Sequence, residues 1–174
     1  MKYITDNSRI LSREELSSPE EITNEIPLDK ESSKLIFGAR RSISQILHRQ
    51  DDRLVVVVGP CSIHDPKSAI EYAELLKEFS ATVENELMVV MRVYFEKPRT
   101  TIGWKGLIND PRIDNSFKIN EGLRVSRKLL KDIADLGMPT GTEFLDLISP
   151  QYVSDLVSWG CLLYTSPSPR DVSS

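Results

Sequence analysis

Nowhere does the chain run for the roughly 20 consecutive apolar residues that cross a bilayer. Its first residues, Met1-Lys2-Tyr3-Ile4-Thr5-Asp6, lack the apolar core of a secretory signal. Neither a membrane nor an export route is expected. Cysteine is scarce: Cys61 and Cys161 are too few for a disulfide framework, and a reducing, cytoplasmic setting follows as the default. A basic surplus is also missing. The net charge of −4 argues against a nucleic-acid partner and makes any cluster of cations a local feature. What is present is the balance of an ordinary soluble domain, 40% apolar and 28% charged, in 174 residues, enough to bury one real core.

The chain reads as an arm, a repeating α/β body and a tail. Ser18 is placed to cap a short helix to Glu25, with Pro19 in its first turn and Glu20 and Glu21 at the positive end of its dipole. A longer helix from about Asp29 carries Leu35, Ile36, Ala39, Ile43, Ile46 and Leu47 on one face. Leu54-Val55-Val56-Val57-Val58 is a β-branched run of the kind buried on both faces in a parallel sheet. Asp65-Pro66 opens the next helix, and Leu87 to Phe95 forms the next strand. A long loop from Glu96 to about Asn120 precedes a helix from Glu121 to Leu136. A strand from Pro139 to Phe144 and a helix from Gln151 to Trp159 complete the body. Strands alternating with helices imply a parallel α/β sheet with right-handed crossovers, and in such folds chemistry gathers at the C-terminal ends of strands.

A cluster of cations lies at one of those ends. In the strand to Phe95, Val90, Arg92 and Tyr94 share one face and Val93 and Phe95 the other. Arg92 sits within an otherwise apolar run, and Lys97 and Arg99 follow just past the end, with Pro98 stiffening the turn. Arg supplies a two-pronged donor fork and Lys a compact charge, so three converging cations suit a phosphate. A solvated basic turn beside Glu96 is the simpler alternative. Gly59-Pro60-Cys61-Ser62-Ile63-His64 leaves the first strand at the same end, and Glu143 lies near the end of the third. Cys61 taken alone is a small buried hydrophobe or a thiolate ligand in need of His or carboxylate partners. His64 is near it in sequence, and His48, late in a helix, serves equally as a cation at the dipole's negative end.

Two long strings, Val58-Gly59-Pro60-Cys61-Ser62-Ile63-His64-Asp65-Pro66 and Met91-Arg92-Val93-Tyr94-Phe95-Glu96-Lys97-Pro98-Arg99-Thr100-Thr101, closely resemble the type I 3-deoxy-D-arabino-heptulosonate 7-phosphate (DAHP) synthases. The likeness continues through Gly103-Trp104-Lys105-Gly106-Leu107-Ile108-Asn109-Asp110-Pro111, Glu143-Phe144-Leu145-Asp146 and Ser149-Pro150-Gln151-Tyr152. It implies a (β/α)8 TIM barrel behind a helical N-terminal extension. It also implies a transferase that joins phosphoenolpyruvate, erythrose 4-phosphate and water into DAHP and phosphate, the first step of the shikimate pathway of aromatic amino acid biosynthesis. By the same resemblance Cys61 matches a ligand of a divalent metal ion (Mn, Fe, Co or Zn type). Arg92 and Lys97 match groups on phosphoenolpyruvate, Lys97, Pro98, Arg99 and Thr100 the erythrose 4-phosphate strip, and Glu143 a carboxylate near phosphoenolpyruvate. Asp6 and Asn7, with Pro150 and Gln151 opposite, match a feedback-inhibition site for an aromatic amino acid at an interface of a homo-oligomer.

The resemblance runs to about Gly160. Cys161-Leu162-Leu163-Tyr164-Thr165-Ser166-Pro167-Ser168-Pro169-Arg170-Asp171-Val172-Ser173-Ser174 is instead rich in Ser and Pro, a composition that favours an unstructured end. The expected domains are therefore residues 1–52 as arm and interface helices, 53–160 as the first units of a truncated barrel, and 161–174 as an unrelated tail. A full barrel needs about 250 residues, so roughly three of eight β/α units are expected. Such a fragment, with one metal ligand of four, is expected to be inactive by itself. A non-catalytic interaction fragment that pairs with full-length subunits is the alternative.

Overall fold

The computed structural model describes residues 13–97 and 103–162. Helix α1 (Pro19–Glu25) is capped by Ser18, whose hydroxyl accepts from the Glu21 N–H at 3.1 Å. Helix α2 (Lys30–Leu47) starts at Asp29, which accepts from the Ser32 N–H. Strand β1 (Leu54–Val58) leads to α3 (Pro66–Thr82), capped by Asp65 through the N–H groups of Lys67 and Ser68. Strand β2 (Leu87–Arg92), helix α4 (Ile119–Asp135) and strand β3 (Thr140–Phe144) follow. Each cap satisfies N–H groups that a helix start leaves without partners.

The four described strands are all parallel and lie in the order β1-β2-β3-β4. A doubly wound sheet reverses its order near the middle. Strictly sequential order is what a sheet curling toward closure produces, and four strands are half of an eight-stranded barrel. Along β2 and just past its end, Val89, Met91, Val93 and Phe95 join one buried cluster with Ala69, Ala73 and Leu76 of α3 and Leu129, Leu130 and Ile133 of α4. Val90 faces the other way, where its Cγ1 and that of Val57 approach Gly141. The alternation expected for this strand therefore holds, with Arg92 and Tyr94 on the inner side of the curl.

Three expectations need correction. β1 is not buried on both faces: Leu54, on the helix-facing side, is 66% exposed and Val57, on the inner side beside Val90, 41%, β1 having one strand neighbour among the described residues. Ladder pairing ends at Arg92 rather than Phe95, and the chain continues toward the β-bridge between Glu96 and Gly106. The expected helix from Gln151 to Trp159 is a single turn, α5 (Pro150–Val153), then a 3₁₀ turn, Ser154–Leu156, and then strand β4 (Trp159–Leu162). Cys161 and Leu162 thus continue the sheet, opposite Glu143 and Phe144 of β3, and the chain holds three β/α units, as expected, followed by the strand of a fourth.

Behind the sheet, Arg127 of α4 is the largest fully buried side chain among the described residues. Its guanidinium donates to Asp155 at 2.7 and 2.8 Å and to the carbonyls of Ile26 and Tyr152. One side chain so ties α1, α4 and the α5 region together.

Candidate active site

The site forms where β1 and β2 end. Gly59 lets the two strand exits touch: a Cβ there would lie 2.6 Å from the Arg92 carbonyl oxygen, so any side chain would force the strands apart. Just beyond it the Ile63 N–H donates to the Tyr94 carbonyl at 2.9 Å and fixes the Cys61 turn against β2. Arg92 folds over the Tyr94 ring, its Cζ 4.1 Å from the ring centre in a cation–π contact. One of its terminal nitrogens donates to the Cys61 carbonyl at 2.9 Å, and its Nε is buried with no hydrogen-bond partner among the described residues.

Lys97 reaches the same turn from the other side, its Nζ donating to the Cys61 Sγ at 3.0 Å. The Lys97 ammonium, with Arg92 as a weaker second charge, holds the exposed Cys61 thiol below its ordinary range. Burial and the Glu143 carboxylate push the Tyr94 phenol up, against the pull of Arg92. Three residues singled out in the sequence, Cys61, Arg92 and Lys97, are therefore one cluster, and half-buried Glu143 borders it through Tyr94. Replacing Lys97 with Ala should slow alkylation of Cys61 by iodoacetamide at neutral pH by about tenfold, because the thiolate fraction falls once the ammonium is gone. Mass-spectrometric counting of labelled Cys61 against pH reads this directly, and an unchanged profile would remove Lys97 as the cause.

The other expectations are placed less centrally. Pro150 opens α5, and exposed Gln151 donates to the Leu147 carbonyl at 3.2 Å. His64 is exposed on a recess of ≈240 Å³ with Ser62, Ser68 and Tyr72, and His48 binds its own helix through the Ser44 carbonyl. Asp6, Asn7, Pro98, Arg99 and Thr100 lie outside the described residues. Among the described residues no three His, Cys, Asp or Glu side chains gather as a metal group would. Two hollows of ≈590 Å³ each are lined by Arg53, Glu84 and Leu87 at the opposite end of the sheet, the end of a barrel that carries stability rather than chemistry. No described helix is long and apolar enough to cross a membrane.

A model of the DAHP synthetase I family matches residues 24–162. The chain belongs to this family. The matched span takes in Cys161 and Leu162, in keeping with their place in β4. A phospho-2-dehydro-3-deoxyheptonate aldolase of Amycolatopsis methanolica is 56% identical over 90% of this chain and 77% of its own length. The Phe-sensitive enzyme of that name from Escherichia coli K12 is 54% identical over 93% of this chain and 46% of its own length. The solved aldolase of the same name from Francisella tularensis SCHU S4 superposes with a TM-score of 0.83 at 53% identity, over 87% of this chain and 44% of that one. The chain thus spans about half the length of the latter two relatives.

Pattern reading missed two members of the site. Tyr94 appeared only as a residue sharing a face with Arg92, although an aromatic two positions from a strand arginine is a usable sign of stacking. Glu96 appeared only as a counter-charge, yet it is buried and accepts from the Ser149 hydroxyl at 3.1 Å.

Proposed function

We propose that the chain carries the phosphoenolpyruvate-binding half of a DAHP synthase, the activity being condensation of phosphoenolpyruvate with erythrose 4-phosphate and water to DAHP and phosphate. The observation that carries this reading is the convergence of Arg92 and Lys97 on the Cys61 turn at the ends of β1 and β2. Phosphoenolpyruvate bears a phosphate and a carboxylate, and a guanidinium over an aromatic ring beside an ammonium suits two anionic groups close together. In this reading Arg92 and Lys97 hold phosphoenolpyruvate, Glu143 borders it, and Pro98, Arg99 and Thr100 contact erythrose 4-phosphate. Asp6, Asn7, Pro150 and Gln151 belong to an inhibitor site for an aromatic amino acid between subunits of a homo-oligomer, and a cytosolic setting keeps Cys61 reduced.

Cys61 is the residue proposed to ligate a divalent metal. The described residues alone do not suit that ion: they offer a single thiolate, held by Lys97, where a protein-bound metal takes three or four ligands. No step is therefore routed through a metal. The chain's own contribution is to bind the phosphoenolpyruvate anion, orient it over the inner face of the sheet and offset its charge.

Calorimetric titration tests the reading. The chain should bind phosphoenolpyruvate at least about tenfold more tightly than pyruvate, since a positioned charge-assisted pair is worth ~1.5–3 kcal/mol. Arg92→Ala should erase the difference. Equal affinity for the two anions would overturn the assignment. The chain itself should release no phosphate from phosphoenolpyruvate with erythrose 4-phosphate and a divalent metal, and any such turnover by the purified chain would contradict the half-site reading. A second reading is favoured by strands β1 and β4, each with one strand neighbour among the described residues and each carrying exposed apolar side chains such as Leu54 and Trp159. In it the chain pairs with intact subunits as an interaction fragment, and co-purification with a full-length synthase decides it.

A further inference from the structure

Glu96 precedes Lys97 at the exit of β2 and is only 7% exposed. Buried carboxylates are uncommon without a cation, and no ion pair with Glu96 exists among the described residues. Its Oε2 accepts from the Ser149 hydroxyl at 3.1 Å. Burial, and behind it the Asp146 carboxylate, push the Glu96 carboxyl up, against the pull of the Ser149 hydroxyl. The backbone on either side is held as well. Glu96 bridges to Gly106, and the Lys97 N–H donates to the Lys105 carbonyl at 3.0 Å. The carboxyl therefore ties the exit of β2 to the turn after β3, while the backbone beside it holds the loop at Lys105 and Gly106.

That arrangement bears on Lys97. A lysine has a long flexible stem, and where its ammonium spends its time depends on how firmly its Cα is held. Here the Cα follows a residue fixed through its side chain on one side and through the ladder to Gly106 on the other, and the Nζ sits 3.0 Å from the Cys61 Sγ. We infer that Glu96 is a positioning residue for Lys97, holding the lysine's backbone by way of Ser149 so that the ammonium stays in the Cys61–Arg92 cluster. Glu96 touches no substrate, and its effect on anion binding rests on the reading of that cluster given above.

The experiment is calorimetric titration of the whole chain with phosphoenolpyruvate, with far-UV circular dichroism and the unfolding midpoint recorded for each variant. Glu96→Ala should weaken binding by about tenfold, and Ser149→Ala by a smaller factor of about three, in line with loss of one or more buried hydrogen bonds. Glu96→Gln keeps a carbonyl oxygen for the Ser149 hydroxyl and should restore binding to within about twofold of the parent. In a Lys97→Ala background the loss from Glu96→Ala should vanish, since the two residues then act as one unit. Undiminished binding in Glu96→Ala, or an equal loss whether or not Lys97 is present, overturns the inference. Should the parent chain fail to bind phosphoenolpyruvate, the assignment of the cluster fails separately. Limited trypsin digestion after Lys105 then decides for Glu96: faster cutting in Glu96→Ala and parent-like cutting in Glu96→Gln uphold it, and parent-like cutting in both overturns it.

Discussion

Arg127→Ala should lower the stability of the chain by about 3–4 kcal/mol, read as a shift of the urea midpoint at unchanged slope. The guanidinium is wholly buried and its partner Asp155 is 41% exposed. Removing the arginine leaves a void and strips the Ile26 and Tyr152 carbonyls of a donor. The abandoned Asp155 can turn to water, which keeps the loss near the lower end for a broken buried pair. Arg127→Met retains most of the volume and should cost about half as much, because the cavity is avoided. If the two variants are equally damaging, the charge rather than the packing holds α1, α4 and the α5 region together. If neither moves the midpoint, the buried pair contributes nothing net.

The parts of the molecule legible in the sequence are those governed by short-range rules. Ser18, Asp29 and Asp65 cap the helices they precede because a side-chain oxygen next to free N–H groups acts locally. The period of two in Val89 to Phe95 separates a helix-facing side from an inner side, which also places Arg92. The failures occur where distant chain decides. Val153, Leu156 and Val157 have helical spacing, yet Val157 is extended and the chain turns into β4, because β3 offers an open edge to pair with. β1 carries the composition of a doubly buried strand, but burial depends on what covers its two faces and its free edge and not on its own residues. Arg127 reads as one of several charges along α4, and nothing within a few residues announces that Asp155, 28 positions on, will pair with it. In the site the cations were legible, while the Cys61 carbonyl that receives Arg92 was not, since a backbone acceptor has no sequence signature.

Gly106→Ala should be the most damaging single-methyl change near the site, costing about 3 kcal/mol and abolishing measurable binding of phosphoenolpyruvate. Gly106 sits at φ +111°, a conformation an L side chain adopts at a cost of roughly 1–2 kcal/mol. A Cβ there would also lie 2.0 Å from the Phe95 carbonyl oxygen, well inside any tolerable contact, and overpacking of this kind adds roughly 1–3 kcal/mol. The displaced atoms are backbone on both sides, so no side chain can swing away to relieve the clash. The bridge from Glu96 to Gly106 and the Lys97-to-Lys105 hydrogen bond must open together. With them goes the anchorage of Lys97 beside Cys61 and Arg92, so stability and anion binding should fall in the same variant. Gly38→Ala supplies the contrast: it lies in α2 with nothing within 4 Å of the new methyl, and should be neutral or stabilise by up to about 1 kcal/mol through helix propensity. Unfolding midpoints and phosphoenolpyruvate titrations of the two variants side by side make the comparison. A Gly106→Ala protein that binds normally would mean that the loop from Glu96 to Asp110 does not hold Lys97 in place.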